Sequence, residues 1–145
     1  MKLVCDLESN GLYNEATTIH CAVFKCIDTQ QVWKFRSKDK IVAMLEKATM
    51  LIMHNGIGFD VPLLKKIYNY EYKGRVLDTV LLSRELCKNI PVPEQMKLDC
   101  AEKKQKISGP HSLAAWGYRL GRGKVEHEDW SVYSPEMMHR CAEDV

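Results

Sequence analysis

The chain has 145 residues, of which 46% are apolar and 28% charged, with a formal net charge of +2. That length suits one domain over 1–145 with a single core, and the composition is that of an ordinary globular protein. No run of about eighteen apolar residues occurs, so no membrane span is expected, and so small a charge neither announces nor excludes a nucleic-acid partner. The opening "MKLVCDLES" reaches an acidic residue within six positions, unlike a secretory signal. The six cysteines, at 5, 21, 26, 87, 100 and 141, show no paired spacing of a zinc ribbon. Reduced thiols packed as small hydrophobes, in an intracellular protein, are therefore expected.

In chain order, "KLVCD" is a β-rich run that ends in a carboxylate. "TTIHCAVFKC" and "QVWKFRS" follow as strands joined through a polar hairpin turn, "IDTQ". "DKIVAMLEKAT" has apolar residues at 41, 42, 44, 45 and 48, a helical pattern. "MLIMHN" is too short for a helix and is bounded by Asn-Gly, which predicts a buried strand. "DVPLLKKIYNY" opens a helix with Asp60 in the cap region and Pro62 in the first turn. "RVLDTVLLSRELCKN" predicts a brief strand entering a helix, with Asp78 as candidate N-cap. Residues 89–110, rich in proline and lysine, read as mostly irregular with at most a short helical piece. "HSLAAWGYRLG" is a short helix stopped at Gly121. A polar connector over 121–133 leads to a closing helix, with Ser134 as N-cap and Pro135 at the first helical position. Strands first, then alternating strand and helix, predict an α/β sheet that starts as a meander.

The chemistry-bearing residues sit at the ends of these elements. In "DLE", Asp6 and Glu8 are two apart on a strand, so both carboxylates project from one face. Two such acids repel unless a cation sits between them, and a divalent ion with oxygen ligands suits them. Solvent-facing acids on an edge strand are the alternative. "HNGIGFDVPLL" leaves a buried strand and delivers Asp60 at a helix start, where it is either a cap or a ligand. Asp144 closes the chain. The four acids, from three separated segments, suit two divalent ions about 4 Å apart, as in phosphodiester cleavage.

"DLESNGL", "HNGIGFD" and "HRCAEDV" resemble the three exonuclease motifs of the DnaQ-like (DEDD) 3′–5′ exonucleases. "HNGIGFDVPLL", "DTVLLSREL" and "HSLAAWGYRLG" extend the likeness to the proofreading domain of T7-like bacteriophage DNA polymerases, over essentially the whole chain. The resemblance implies an RNase H-like mixed sheet flanked by helices, two Mg2+ ions for which Mn2+ can substitute, and single-stranded DNA 3′ ends as substrate. It also implies a DNA polymerase domain or subunit as partner, no membrane association, and the host cytoplasm as location for a phage-encoded protein.

The resemblance further implies that Asp6 bridges both ions and that Glu8 lies near the 3′ end. Asp60 would hold the second ion, and Asp144 the ion carrying the attacking water. Ser9 and Leu12 match positions that touch the terminal sugar and base, although Leu12 also suits core packing. Asn55 and Phe59 flank the second motif, Asn55 as a turn residue and Phe59 as a packed ring. The third motif departs from the tyrosine type, because four residues before Asp144 stands Arg140. Five before it stands His139, which fits the histidine type and implies a general base. Lys103, Lys104, Lys106, Arg119, Arg122 and Lys124 are the most basic stretch, either phosphate contacts or a solvated surface. His20, His54 and Trp116 read as packing residues. Two rival functions remain open at this point: an RNA-trimming exonuclease, and a non-catalytic nucleic-acid-binding replisome module.

Overall fold

A computed structural model describes residues 1–122 and 129–145; Lys124 and part of the 121–133 connector lie outside the described residues. Among the described residues five strands form one sheet: β1 (Lys2–Ser9), β2 (Ile19–Cys26), β3 (Val32–Phe35), β4 (Met50–Met53) and β5 (Arg75–Asp78). Their order is β3-β2-β1-β4-β5. β1, β2 and β3 pair antiparallel, whereas β4 runs parallel to β1 and β5 parallel to β4. The meander joined to parallel strands is the mixed sheet expected from the sequence.

Alternation along β1 decides which side chains reach which face. Leu3, Cys5 and Leu7 are buried in the main core with Ala22, Phe24 and Cys26 of β2 and with Leu51 and Met53 of β4. Helices α1 (Lys38–Lys47) and α2 (Asp60–Tyr68) add Ile41, Met44, Leu45, Leu63 and Leu64 to that core. The other side of β2 carries Cys21 and Val23, which are buried with Cys141 and packed by Tyr133, Met138, Ala142 and Val145. Cys141, Met138 and Ala142 belong to the closing helix, residues Pro135–Glu143. β2 is thus covered on both faces, which explains why "IHCAVFKC" is nearly continuously apolar.

The backbone divides into two compact units, one holding 1–79 with 129–145 and the other 80–122. Helices α3 (Thr79–Leu86), α4 (Glu94–Glu102) and α5 (Leu113–Arg119) lie from this boundary onward, and the closing helix is α6. Within the second unit the Trp116 indole donates to Ser83 Oγ at 3.1 Å, and the Tyr118 hydroxyl donates to Asp99 at 2.7 Å. α4 is the short helical piece within the otherwise irregular stretch 89–110. Pro91, Pro93 and Pro110 all lie outside it, with Pro93 at the N-cap, so the prolines bound the helix and break none of its bonds. Gly121, at φ 65°, follows the end of α5 as anticipated.

Candidate active site

Asp6 and Glu8 leave β1 on the face that α6 covers, opposite Val23 and Cys21 of β2. α6 starts as the Ser-Pro signal predicts: Ser134 Oγ accepts from the Met137 amide at 3.2 Å, and Pro135 takes the first turn. Met137 and Cys141 are fully buried one turn apart. The Cys141 thiol donates to the Asp6 carbonyl at 3.3 Å, tying the helix to β1 at the first acid. Hydrogen bonding with Cys21, followed by burial, raises the pKa of that thiol far above its ordinary range. α6 ends at Glu143, and Asp144 stands at the C-cap. There it joins Asp6 and Glu8, one carboxylate oxygen from each lying within 4.8 Å of the others.

Asp60 approaches Asp6 and Glu8 from the parallel side of the sheet, near enough to feel their charge. It is the first residue of α2, with Phe59 at the N-cap and no side-chain cap, so capping does not account for it. Asp60 is 5% exposed. Burial first, then the charge of Asp6, raise its pKa well above the carboxylate range; Glu8 adds to this, while backbone amides of Asp60 and Leu7 oppose it. The loop before it is tight. Asn55 takes φ 66° and its carbonyl accepts from the amides of Gly58 and Phe59. Gly56 lies so close to Met53 that an added Cβ would fall 2.4 Å from the Met53 Cβ. Asp78 Oδ1 and Oδ2 accept from the Asn55 and Ile57 amides at 3.1 and 3.0 Å, so this acid braces the loop that presents Asp60.

A cavity of about 320 Å³ opens beside Glu8, lined among others by Ser9, Leu12, Phe59 and Trp130. Ser9 is buried, and its hydroxyl donates to the Gly11 carbonyl at 2.8 Å. Leu12 is 74% exposed, so it is a rim residue and not core. Phe59 is half-buried and packs on the main core as well as lining the cavity. The sequence reading passed over Trp130, an indole inside a polar connector. Its carbonyl lies 3.0 Å from His20 Nε2, which fixes it to β2. His54 Nδ1 meets Thr79 Oγ1 at 2.9 Å, a supporting contact.

Three expected site residues fall elsewhere. His139 is exposed on α6. Five residues before Asp144, it points about 140° away from that acid around the helix. The histidine of the third motif is therefore not brought to the carboxylates, because α6 is already helical at 139, and the residue one full turn before Asp144 is Arg140. Arg119 belongs to the second unit, where it donates to the Pro110 and Pro91 carbonyls at 2.8 and 2.7 Å and lies over Trp116. These bonds occupy the guanidinium in structure. Arg122 is exposed in the same unit, as are Lys103, Lys104 and Lys106. Among the described residues no helix is long and apolar enough to cross a membrane.

A family model described as the RNase H superfamily matches residues 3–116. The DNA-directed DNA polymerase of Escherichia phage T7 is 31% identical over 174 residues, which take in 99% of this chain and 25% of the polymerase. The likeness to phage polymerases read from the stretches around the second motif and beyond it is thereby borne out, and the chain spans a quarter of that relative's length. Among solved structures, Brucella melitensis NrnC, seen bound to pGG and with bound Mg2+, superposes with a TM-score of 0.63 at 16% identity, covering 99% of this chain and 66% of that one. The Aedes aegypti Nibbler EXO domain superposes with a TM-score of 0.62 at 14% identity, covering 99% and 72%. These structural likenesses establish the RNase H-like fold.

Proposed function

Because the chain belongs to the RNase H superfamily, we propose that it is a metal-dependent 3′–5′ exonuclease that shortens single-stranded or frayed DNA ends to nucleoside 5′-monophosphates. The observation that carries this reading is the convergence of Asp6, Glu8 and Asp144 within 4.8 Å, with buried Asp60 electrostatically linked to Asp6 and Glu8. Four oxygen donors with no sulfur or imidazole among them fit hard divalent cations, Mg2+ first and Mn2+ as its substitute. Asp6, Glu8 and Asp144 would hold one ion, and Asp60 with Asp6 a second. Such ions supply charge neutralisation at the phosphate and a water deprotonated near neutral pH.

The protein's own residues do the positioning. Leu12, Phe59 and Trp130 offer apolar surface to a terminal nucleoside, and Ser9 stands between them and Glu8. His139 is the sequence's candidate for the proton acceptor, and it is exposed on α6. DNA is favoured as substrate because the phage polymerase is 31% identical, against 16% and 14% for the two structural neighbours. Proofreading beside a DNA polymerase domain or subunit is the corresponding biological role. The test incubates matched single-stranded DNA and RNA oligonucleotides with and without Mg2+. Mg2+-dependent release of nucleoside 5′-monophosphates, faster from DNA, is expected. Faster release from RNA would replace proofreading with RNA trimming, and tight binding without cleavage would leave a non-catalytic module.

A further inference from the structure

Arg140 stands one helical turn before Asp144 and faces the carboxylates. Its Nε lies 3.8 Å from Glu8 Oε1, with side-chain exposures of 19% and 12%. That separation is too long for a hydrogen bond, and among the described residues the buried Nε has no hydrogen-bond partner. The guanidinium carbon is 4.8 Å from the centroid of the Trp130 ring, a stacking that holds the planar group in one orientation. Trp130 and Glu8 both line the 320 Å³ cavity. The molecule therefore holds an oriented, partly desolvated guanidinium against two residues that line the cavity, Glu8 and Trp130. A partly buried guanidinium with a donor left open suits a ligand or water that accepts from it. A phosphate oxygen is the acceptor whose charge and geometry suit a guanidinium best.

We propose that Arg140 is a substrate-binding residue that donates to a non-bridging oxygen of the scissile phosphate, so that an arginine grips the substrate where the tyrosine-type motif would place a phenol. The inference rests on the nuclease reading. The competing explanation is that Arg140 only neutralises Glu8, and the two differ in what the arginine senses. Binding of single-stranded DNA is measured with Ca2+, which takes the same oxygen ligands in a looser geometry, using strands whose terminal linkage is either a phosphodiester or an uncharged methylphosphonate. Arg140→Gln should weaken binding of the natural strand roughly ten- to hundredfold while scarcely affecting the methylphosphonate strand. Arg140→Lys, which keeps the charge, should recover part of the loss and guards against a folding defect. Equal losses on both strands would overturn the proposal in favour of the neutralising role. Mg2+-dependent cleavage by the wild type is run alongside: a wild type that cuts but shows equal losses sinks the arginine assignment alone, and one that neither cuts nor binds sinks the nuclease reading with it.

Discussion

Asp60 shows how much of a site can be hidden in a single letter. From sequence, a helix cap explains an aspartate after a Gly-rich turn completely, since capping is local. What distinguishes Asp60 is non-local: it is buried, and its pKa is raised by that burial and by Asp6 and Glu8 across the sheet. The sign of the pH effect follows. With a folded pKa above its unfolded value, Asp60 holds more proton when folded, so metal-free stability should fall as pH rises from the ordinary carboxylate range toward that raised pKa. Thermal melts across pH should show this slope, and Asp60→Asn should flatten it. Asp6 and Glu8 were legible because strand alternation is a local rule. His139 has the histidine-type spacing from Asp144, but spacing alone does not say which side of α6 it takes. With its side chain exposed, His139→Ala should retain cleavage within about fivefold of wild type. A loss of 10² or more, the scale of general-base catalysis, would restore it as the base.

At the scale of elements, α6 was the best-read part of the chain, because Ser134, Pro135 and the buried Met137 and Cys141 all carry strong local signals. Its role emerges only in the fold. Cys141 packs on Cys21 and Val23 and donates to the Asp6 carbonyl, so the helix sets where Asp144 stands relative to β1. Cys141→Leu overfills that contact and should cost about 1–3 kcal/mol of stability. Because it lifts the end of α6 from β1, the variant should also bind Mg2+ more weakly, as read by paired denaturant and metal titrations. Unchanged metal affinity would mean that Asp144 does not depend on this packing. α4 was legible only as a short helical piece of unstated bounds, because the prolines near it signal irregularity yet flank the helix. Trp130 gave no signal at all, since an aromatic in a polar connector has no periodicity to betray what it lines.

For the whole molecule, the mixed sheet was legible in outline because a meander followed by alternating strands and helices admits few topologies. The division into units of 1–79 with 129–145 and of 80–122 was not, since its first boundary falls where β5 runs directly into α3 with no linker between them. Convergent acids tie stability to metal: ligands that bind only the folded state stabilise it by linkage. Mg2+ and Mn2+ should raise the melting temperature progressively with concentration, and Asp6→Ala should abolish the rise. The central claim, that Asp6 and its neighbouring carboxylates hold the ions that cut DNA 3′ ends, is tested most directly by following a 5′-labelled single strand in Mg2+ with wild type and Asp6→Ala. Wild type should produce a ladder shortened from the 3′ end, and Asp6→Ala, still folded, should be slower by a factor on the order of a thousand or more. Comparable ladders from the two proteins would contradict the account.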